Sequence, residues 1–209
     1  MARVNGPLMS MDASGALGGT VVFSKWKGRN YVRQLVRPAN PKSGGQTSMR
    51  AMMKFLSQQW SGLQAADKAS WEDLAESLVI SPFNAFTKTN LARNKDFLAP
   101  STDYPAAEAT APDAIDDFAA VAGVRSITIE LSTVPLLDGC WGFLLFRSTT
   151  TGFTPAFDNL IAVVEADADT SVYYVDTPLT ADTYYYDAKP FNEDGKLGSL
   201  DGEINATVT

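Results

Sequence analysis

The sequence predicts an α+β leading region, a β-hairpin plus about three short helices, followed by an all-β sandwich. Three observations carry this prediction. Two runs of β-formers flank a Gly- and Asn-containing turn within 20–37. Between 45 and 97 the apolar residues recur at helical spacing. From 114 to 209 short alternating segments, about six or seven of them, are separated by turn residues.

In the hairpin, the runs 21–26 and 31–36 are joined by Lys27-Gly28-Arg29-Asn30, where Gly and Asn supply positive φ. Pro38 and Pro41 stop the sheet and force an extended exit. On alternate positions Tyr31, Arg33, Leu35 and Arg37 share one face, and Val32, Gln34 and Val36 the other.

The helical region opens with Met49, Met52, Met53, Leu56 and Trp60 as one apolar stripe. After a break near Gly62, Trp71, Leu74, Ala75 and Leu78 repeat the pattern. Ser81-Pro82 starts a third helix, with a capping hydroxyl and proline at its first position, running through Phe83, Phe86 and Leu91. Helices this short are marginal alone, so they must pack on one another, on the hairpin or on a partner.

Residues 98–113, rich in Pro and Ala, read as a semi-extended linker. The region is thus divided into 1–97, a basic anchoring part; 98–113, the linker; and 114–209, the sandwich. In the last, Ile127, Ile129 and Leu131 take one face against Ser126, Thr128 and Glu130. Trp141, Phe143 and Leu145 are expected to oppose Leu144 and Phe146.

Composition narrows function. The 209 residues carry a net charge of −7, but residues 1–97 hold 13 Lys/Arg against 6 Asp/Glu and residues 98–209 hold 4 against 18. A polarised chain of this kind can dock its basic end on an acidic neighbour. Histidine is absent, which removes Ser-His-Asp and Cys-His nucleophile systems and the commonest metal ligand. The single cysteine, Cys140, allows no internal disulfide and reads as an apolar filler. No catalytic residue, cofactor or metal is expected. No run is long and apolar enough for a membrane span, and no signal peptide is expected at the N-terminus. Asp167, Asp169, Asp176 and Asp182 lack a calcium-ligand spacing and read as a solvated acidic face. Gly15 to Thr20 lacks the Gly-Lys-Ser/Thr ending of a phosphate loop and leads into a strand.

Residues 114–209 resemble an immunoglobulin-like fibronectin type III module. The matching residues are Phe143 and Phe146 before Arg147-Ser148, the Asp176, Leu179 and Thr183 corner, and the closing Asn192, Gly195 and Ser199 turn. The resemblance makes Tyr185 the expected corner tyrosine, bonding back to backbone. Leu131 stands where the family has a core tryptophan, with Trp141 expected to supply the bulk.

Residues 3–92 resemble the N-terminal part of a family of tailed-bacteriophage structural proteins. The resemblance rests on Gly15, Gly18-Gly19-Thr20-Val21-Val22-Phe23, Trp26-Lys27-Gly28-Arg29-Asn30-Tyr31-Val32-Arg33, Pro38, Asn40-Pro41, Gln46, Arg50, Trp71 and Ser81-Pro82-Phe83-Asn84-Ala85-Phe86. It implies a virion component assembled in the bacterial host, touching major capsid, neck or tail subunits, and homo-oligomeric as particle symmetry requires.

The expected partner-binding residues are Lys25, Trp26, Arg29, Tyr31, Arg33 and Arg37. Arginine and aromatic side chains of this kind suit a protein neighbour. They would also stack bases and neutralise phosphates, but the acidic second half opposes nucleic acid. Head decoration is the expected role, with a neck, collar or tail place as the alternative. A host-surface or glycan-binding module, using Phe153 and Phe157 on sandwich loops, is the other alternative.

Overall fold

The computed structural model describes residues 2–3, 14–112, 114–132, 140–167 and 171–209. It is α+β, with three helices and antiparallel sheets, in two compact units, Met1–Pro41 and Lys42–Thr209.

The first unit is a four-stranded antiparallel sheet. Strands β1 (Ala2–Arg3), β2 (Gly15–Leu17), β3 (Val21–Trp26) and β4 (Arg29–Gln34) lie in the order β1-β4-β3-β2. The β3–β4 turn is tighter than expected. Only Lys27 and Gly28 form it, at φ 48° and 76°, while Arg29 already pairs with Trp26 and Asn30 with Lys25. A two-residue turn with both φ values positive matches the strand twist better than a four-residue loop. None of the described side chains of this unit is buried.

The second unit begins with α1 (Gly44–Gly62), α2 (Ala65–Leu78) and α3 (Pro82–Lys95). The helix starts obey local chemistry. The Ser81 hydroxyl accepts the Asn84 N–H at 3.3 Å, and Asp67 accepts the Gln64 N–H at 3.2 Å. Strands β5 (Asp117–Gly123), β6 (Ser126–Ser132), β7 (Cys140–Ser148), β8 (Leu160–Glu165), β9 (Val172–Asp176), β10 (Asp182–Asn192) and β11 (Ile204–Val208) follow. They form two sheets, β11-β10-β7-β8 and β5-β6-β9.

Two cores result. Ile127, Ile129 and Leu131 meet Phe143, Leu145 and Tyr186 between the sheets. On the other face of the four-stranded sheet, Trp141, Leu144, Phe146 and Phe191 meet Met52, Phe55, Leu56, Trp71 and Phe86 of the helices. Strand β7 is therefore buried on both sides. The helices share this core with the strands, and the expected 1–97 anchoring region divides at Pro41.

Trp141 departs from the expected alternation for a local reason. Phe191 pairs with Gly142 but Asn192 pairs with Cys140, so the ladder skips Trp141 in a bulge. The bulge turns Trp141 away from Phe143 and toward the helices, with ring centroids 4.9 Å from Phe55. Its indole N–H donates to Gln59 at 3.1 Å. Gly142 is required there, because a Cβ would lie 2.5 Å from the Val164 carbonyl oxygen and 2.8 Å from Phe191. Trp141 thus does not replace the bulk missing at Leu131, which is itself fully buried between the sheets.

The helical stripe is also rotated. Met52 and Leu56 are buried as expected, but Met53 is 37% exposed and Phe55 takes the inward place. In α2, Trp71 and Ala75 face inward while Leu78 is exposed.

Residues 98–112 are a packed strap and not a spacer. Ala99, Ser101 and Thr102 are buried. The Thr102 N–H donates to the Glu193 carbonyl at 2.9 Å and the Glu108 N–H to the Asp194 carbonyl at 3.0 Å. Asn90 closes a two-bond ring with the Ser101 backbone, at 3.0 and 2.9 Å. Arg93 reaches three places at once: the Ala99 carbonyl at 2.7 Å, the Gly195 carbonyl at 2.8 Å and the Glu108 carboxylate at 2.8 Å. These bonds satisfy the backbone groups that a proline-broken segment cannot pair within itself.

Candidate docking surface

The sheet of the first unit sorts the expected partner-binding residues by its pleat. Register places Val22 opposite Arg33, Ser24 opposite Tyr31 and Trp26 opposite Arg29. Directly paired residues share a face, so Trp26, Arg29, Tyr31 and Arg33 gather on one side. Lys25 falls on the opposite face with Phe23 and Val32. Arg37 lies beyond the end of β4, in the extended exit, and is not part of the pleated face. Four of the six residues are thus brought together and two are not.

Trp26 is 65% exposed at the hairpin tip, and the Lys27 ammonium sits 4.9 Å from its ring centroid. Lys27 was outside the expected set. Its place directly after Trp26 in the chain is the signal in the sequence that points to it. An ammonium over an indole in this geometry is held by the ring quadrupole, which fixes a cation at the tip. No Asp or Glu occurs between Asp12 and Asp67, so the face carries cations without local neutralisation from the strands beside it. An exposed tryptophan paired with Arg29, with Tyr31 and Arg33 further along the same face, has the residue types enriched at protein interfaces.

Two other expected surfaces change character. Phe153 packs against the helix core, and Phe157 is only partly exposed, beside α1 at Gly45. Neither stands free on a loop as a glycan platform would need. Asp176 is buried and bonded to Arg147 and Tyr186, so it is no member of a solvated acidic face. Asp169 lies outside the described residues. Among the described residues no three metal-ligating side chains cluster, and no helix is long and apolar enough to cross a membrane. Gly15–Leu17 forms β2 and pairs with β3. Cys140 is buried and its thiol is pushed up to about 11 by that burial, which keeps it protonated and inert.

No family model and no curated protein matches the chain. Among solved structures it is similar to a β-1,2-glucanase from Parabacteroides distasonis, at 16% identity and a TM-score of 0.35, over 48% of this chain and 14% of that one. It is similar to the PKD domain of an M14-like peptidase from Thermoplasmatales archaeon SCGC AB-540-F20, at 16% identity and a TM-score of 0.32, over 47% of this chain and 96% of that one. A third is the spore cortex lytic enzyme SleM of Clostridium perfringens, at 14% identity and a TM-score of 0.32, over 46% of this chain and 28% of that one.

Proposed function

We propose that this chain is a non-enzymatic structural protein of a bacteriophage virion, seated on neighbouring subunits by its Met1–Pro41 sheet. The single observation that carries the reading is the Trp26, Arg29, Tyr31 and Arg33 face on a sheet with no buried described side chain. A sheet without its own core is marginal in water and gains its stability from what it is pressed against. An acidic neighbour supplies both the missing apolar cover and the counter-charge.

The second unit then carries an acidic immunoglobulin-like domain of fibronectin type III type. Its two strand orders support that assignment, as does the Tyr184 hydroxyl donating to the Thr180 carbonyl at 3.2 Å. The corner tyrosine is thus Tyr184, one residue before the expected Tyr185, because β10 presents the even-numbered tyrosines inward. The three helices brace the outer face of this domain, so the body displayed is Lys42–Thr209 as a whole.

Decoration of the head is the place we favour, because a symmetric particle surface presents many identical sites to one kind of anchor. Mass spectrometry of purified particles, with immuno-gold labelling, tests the reading. Gold over the head supports decoration, and gold at the neck or tail moves the same anchor to another subunit. Absence of the chain from purified particles overturns the reading.

A further inference from the structure

We propose that a groove between α1 and α3 receives the outer face of the β5-β6-β9 sheet of a second copy, so that copies associate head to tail. This goes beyond the anchoring role and holds whether or not the chain is a virion component.

Met49, Met53 and Leu91 line a shallow groove of about 490 Å³, with Arg50 and Lys54 on its rim. Lys88 and Lys95 lie three residues before and four after Leu91, on the same side of α3, and both are exposed. Neither α1 nor α3 contains an Asp or Glu. Outside these two helices residues 42–209 carry 6 basic against 23 acidic side chains, so the helix pair is a cationic, methionine-lined island on an anionic body. Methionine adapts its shape to an incoming apolar surface.

The complementary surface is present on the same chain. Register puts Val121, Thr128 and Val175 in one row across the outer face of the three-stranded sheet, and Ala119, Glu130 and Tyr173 in the next. Val121, Tyr173 and Val175 are 64%, 61% and 52% exposed. Among the described residues the charged groups on this face are the carboxylates of Asp117 and Glu130, and Tyr173 donates to Glu130 at 2.8 Å, which holds its ring in place. Exposed apolar rows of this kind mark contact surfaces. Groove on groove sets cation against cation, as does the cationic Met1–Pro41 unit. In the head-to-tail arrangement groove and sheet face meet different neighbours, so the contact is heterologous, and repetition of it closes a ring or extends a filament.

Sedimentation velocity of the full chain tests this. The wild type is expected to grow in mass between ~1 and ~100 μM, and less so when salt rises from ~50 to ~500 mM. Met53→Glu spoils the groove and Val175→Asp the sheet face, and each variant alone is expected to be monomeric. Mixed one to one they are expected to give a heterodimer and nothing larger, since each retains one sound half. Both positions are exposed, so unchanged circular dichroism and melting temperature accompany the result, and Lys88→Glu replaces Met53→Glu if they do not. A wild type that stays monomeric, variants that associate like the wild type, or a mixture that stays monomeric each overturns the proposal.

Discussion

Arg147 on β7 and Asp176 on β9 tie one sheet of the second unit to the other, with Arg147 Nη1 donating to both carboxylate oxygens at 2.9 and 2.7 Å. The Tyr186 hydroxyl donates to the same carboxylate at 2.9 Å, and burial together with the Asp176 charge raises its phenol well above the usual range. Removing the carboxylate strands a buried hydroxyl and a partly buried cation. Arg147 is 31% exposed, so water recovers part of the loss. Asp176→Ala is expected to lower unfolding free energy by about 2–4 kcal/mol, at or below the range for fully buried pairs. Replacing the pair together, Arg147→Met with Asp176→Leu, is expected to recover a large part of that. Urea unfolding measures both, and a single-variant loss below about 1 kcal/mol contradicts the assignment.

Tyr184 and Tyr185 should respond unequally to loss of the hydroxyl. Tyr184 reaches both the carbonyl and the side chain of Thr180, at 3.2 and 3.0 Å. Tyr184→Phe is expected to cost about 1–2 kcal/mol and Tyr185→Phe less than about 0.5. Equal losses in thermal unfolding would mean that the corner bond is not formed.

The shared helix–sheet core implies that residues 114–209 do not fold well alone. Without the helices, Trp141, Leu144, Phe146 and Phe191 lose their cover on one face of the sheet. The fragment 114–209 is expected to bind a hydrophobic dye and aggregate, whereas 42–209 should unfold in one cooperative transition. A monomeric, dye-free 114–209 fragment with the stability of 42–209 contradicts the packing described.

Acid should at first stabilise the second unit. Burial raises the carboxyls of Asp103 and Glu193, and Asp67 and Asp194 raise them further by like charge. Burial also raises Asp187 and Asp201. The folded state therefore binds protons that the unfolded chain has released, so stability rises as pH falls from 7 through these raised values. Glu108 acts oppositely: its bond to Arg93 lowers it, and its contribution fades only as pH falls below the ordinary carboxylate range. Calorimetry should show a higher melting temperature near pH ~5 than at pH ~7 and a decline at lower pH. Asp103→Asn with Glu193→Gln should flatten the rise, and an unchanged profile in that double variant would remove these groups as its cause.

Much of this architecture is legible from local chemistry. The Ser81-Pro82 helix start and the alternation of Ile127, Ile129 and Leu131 follow from single residues and short spacing. What escapes local reading is decided by the far side of each element. The run from Cys140 to Phe146 is apolar at nearly every position, the mark of a strand covered on both faces, yet period-two logic assigns it one core. A bulge at Trp141 then reverses the expected facing. Residues 98–112 look like a spacer because their backbone groups are paired by Arg93, Asn90 and the β10–β11 turn, which sequence distance hides. At the candidate surface, pleat direction separates Lys25 from Trp26, and strand length leaves Arg37 outside. The alternation of Tyr31 and Arg33 is readable in advance, and their meeting with Trp26 depends on the register fixed by the Lys27-Gly28 turn.

The central claim is that the Trp26, Arg29, Tyr31 and Arg33 face holds the chain on a larger assembly. The direct measurement is the ratio of this chain to the major capsid protein in purified particles, for the wild type and for Trp26→Ala with Arg33→Glu. Loss of a central aromatic and reversal of one charge should lower that ratio at least about tenfold, a change worth roughly 1.4 kcal/mol or more. The variant's Lys42–Thr209 unit should melt as in the wild type. An unchanged ratio in particles carrying the double variant would contradict the account.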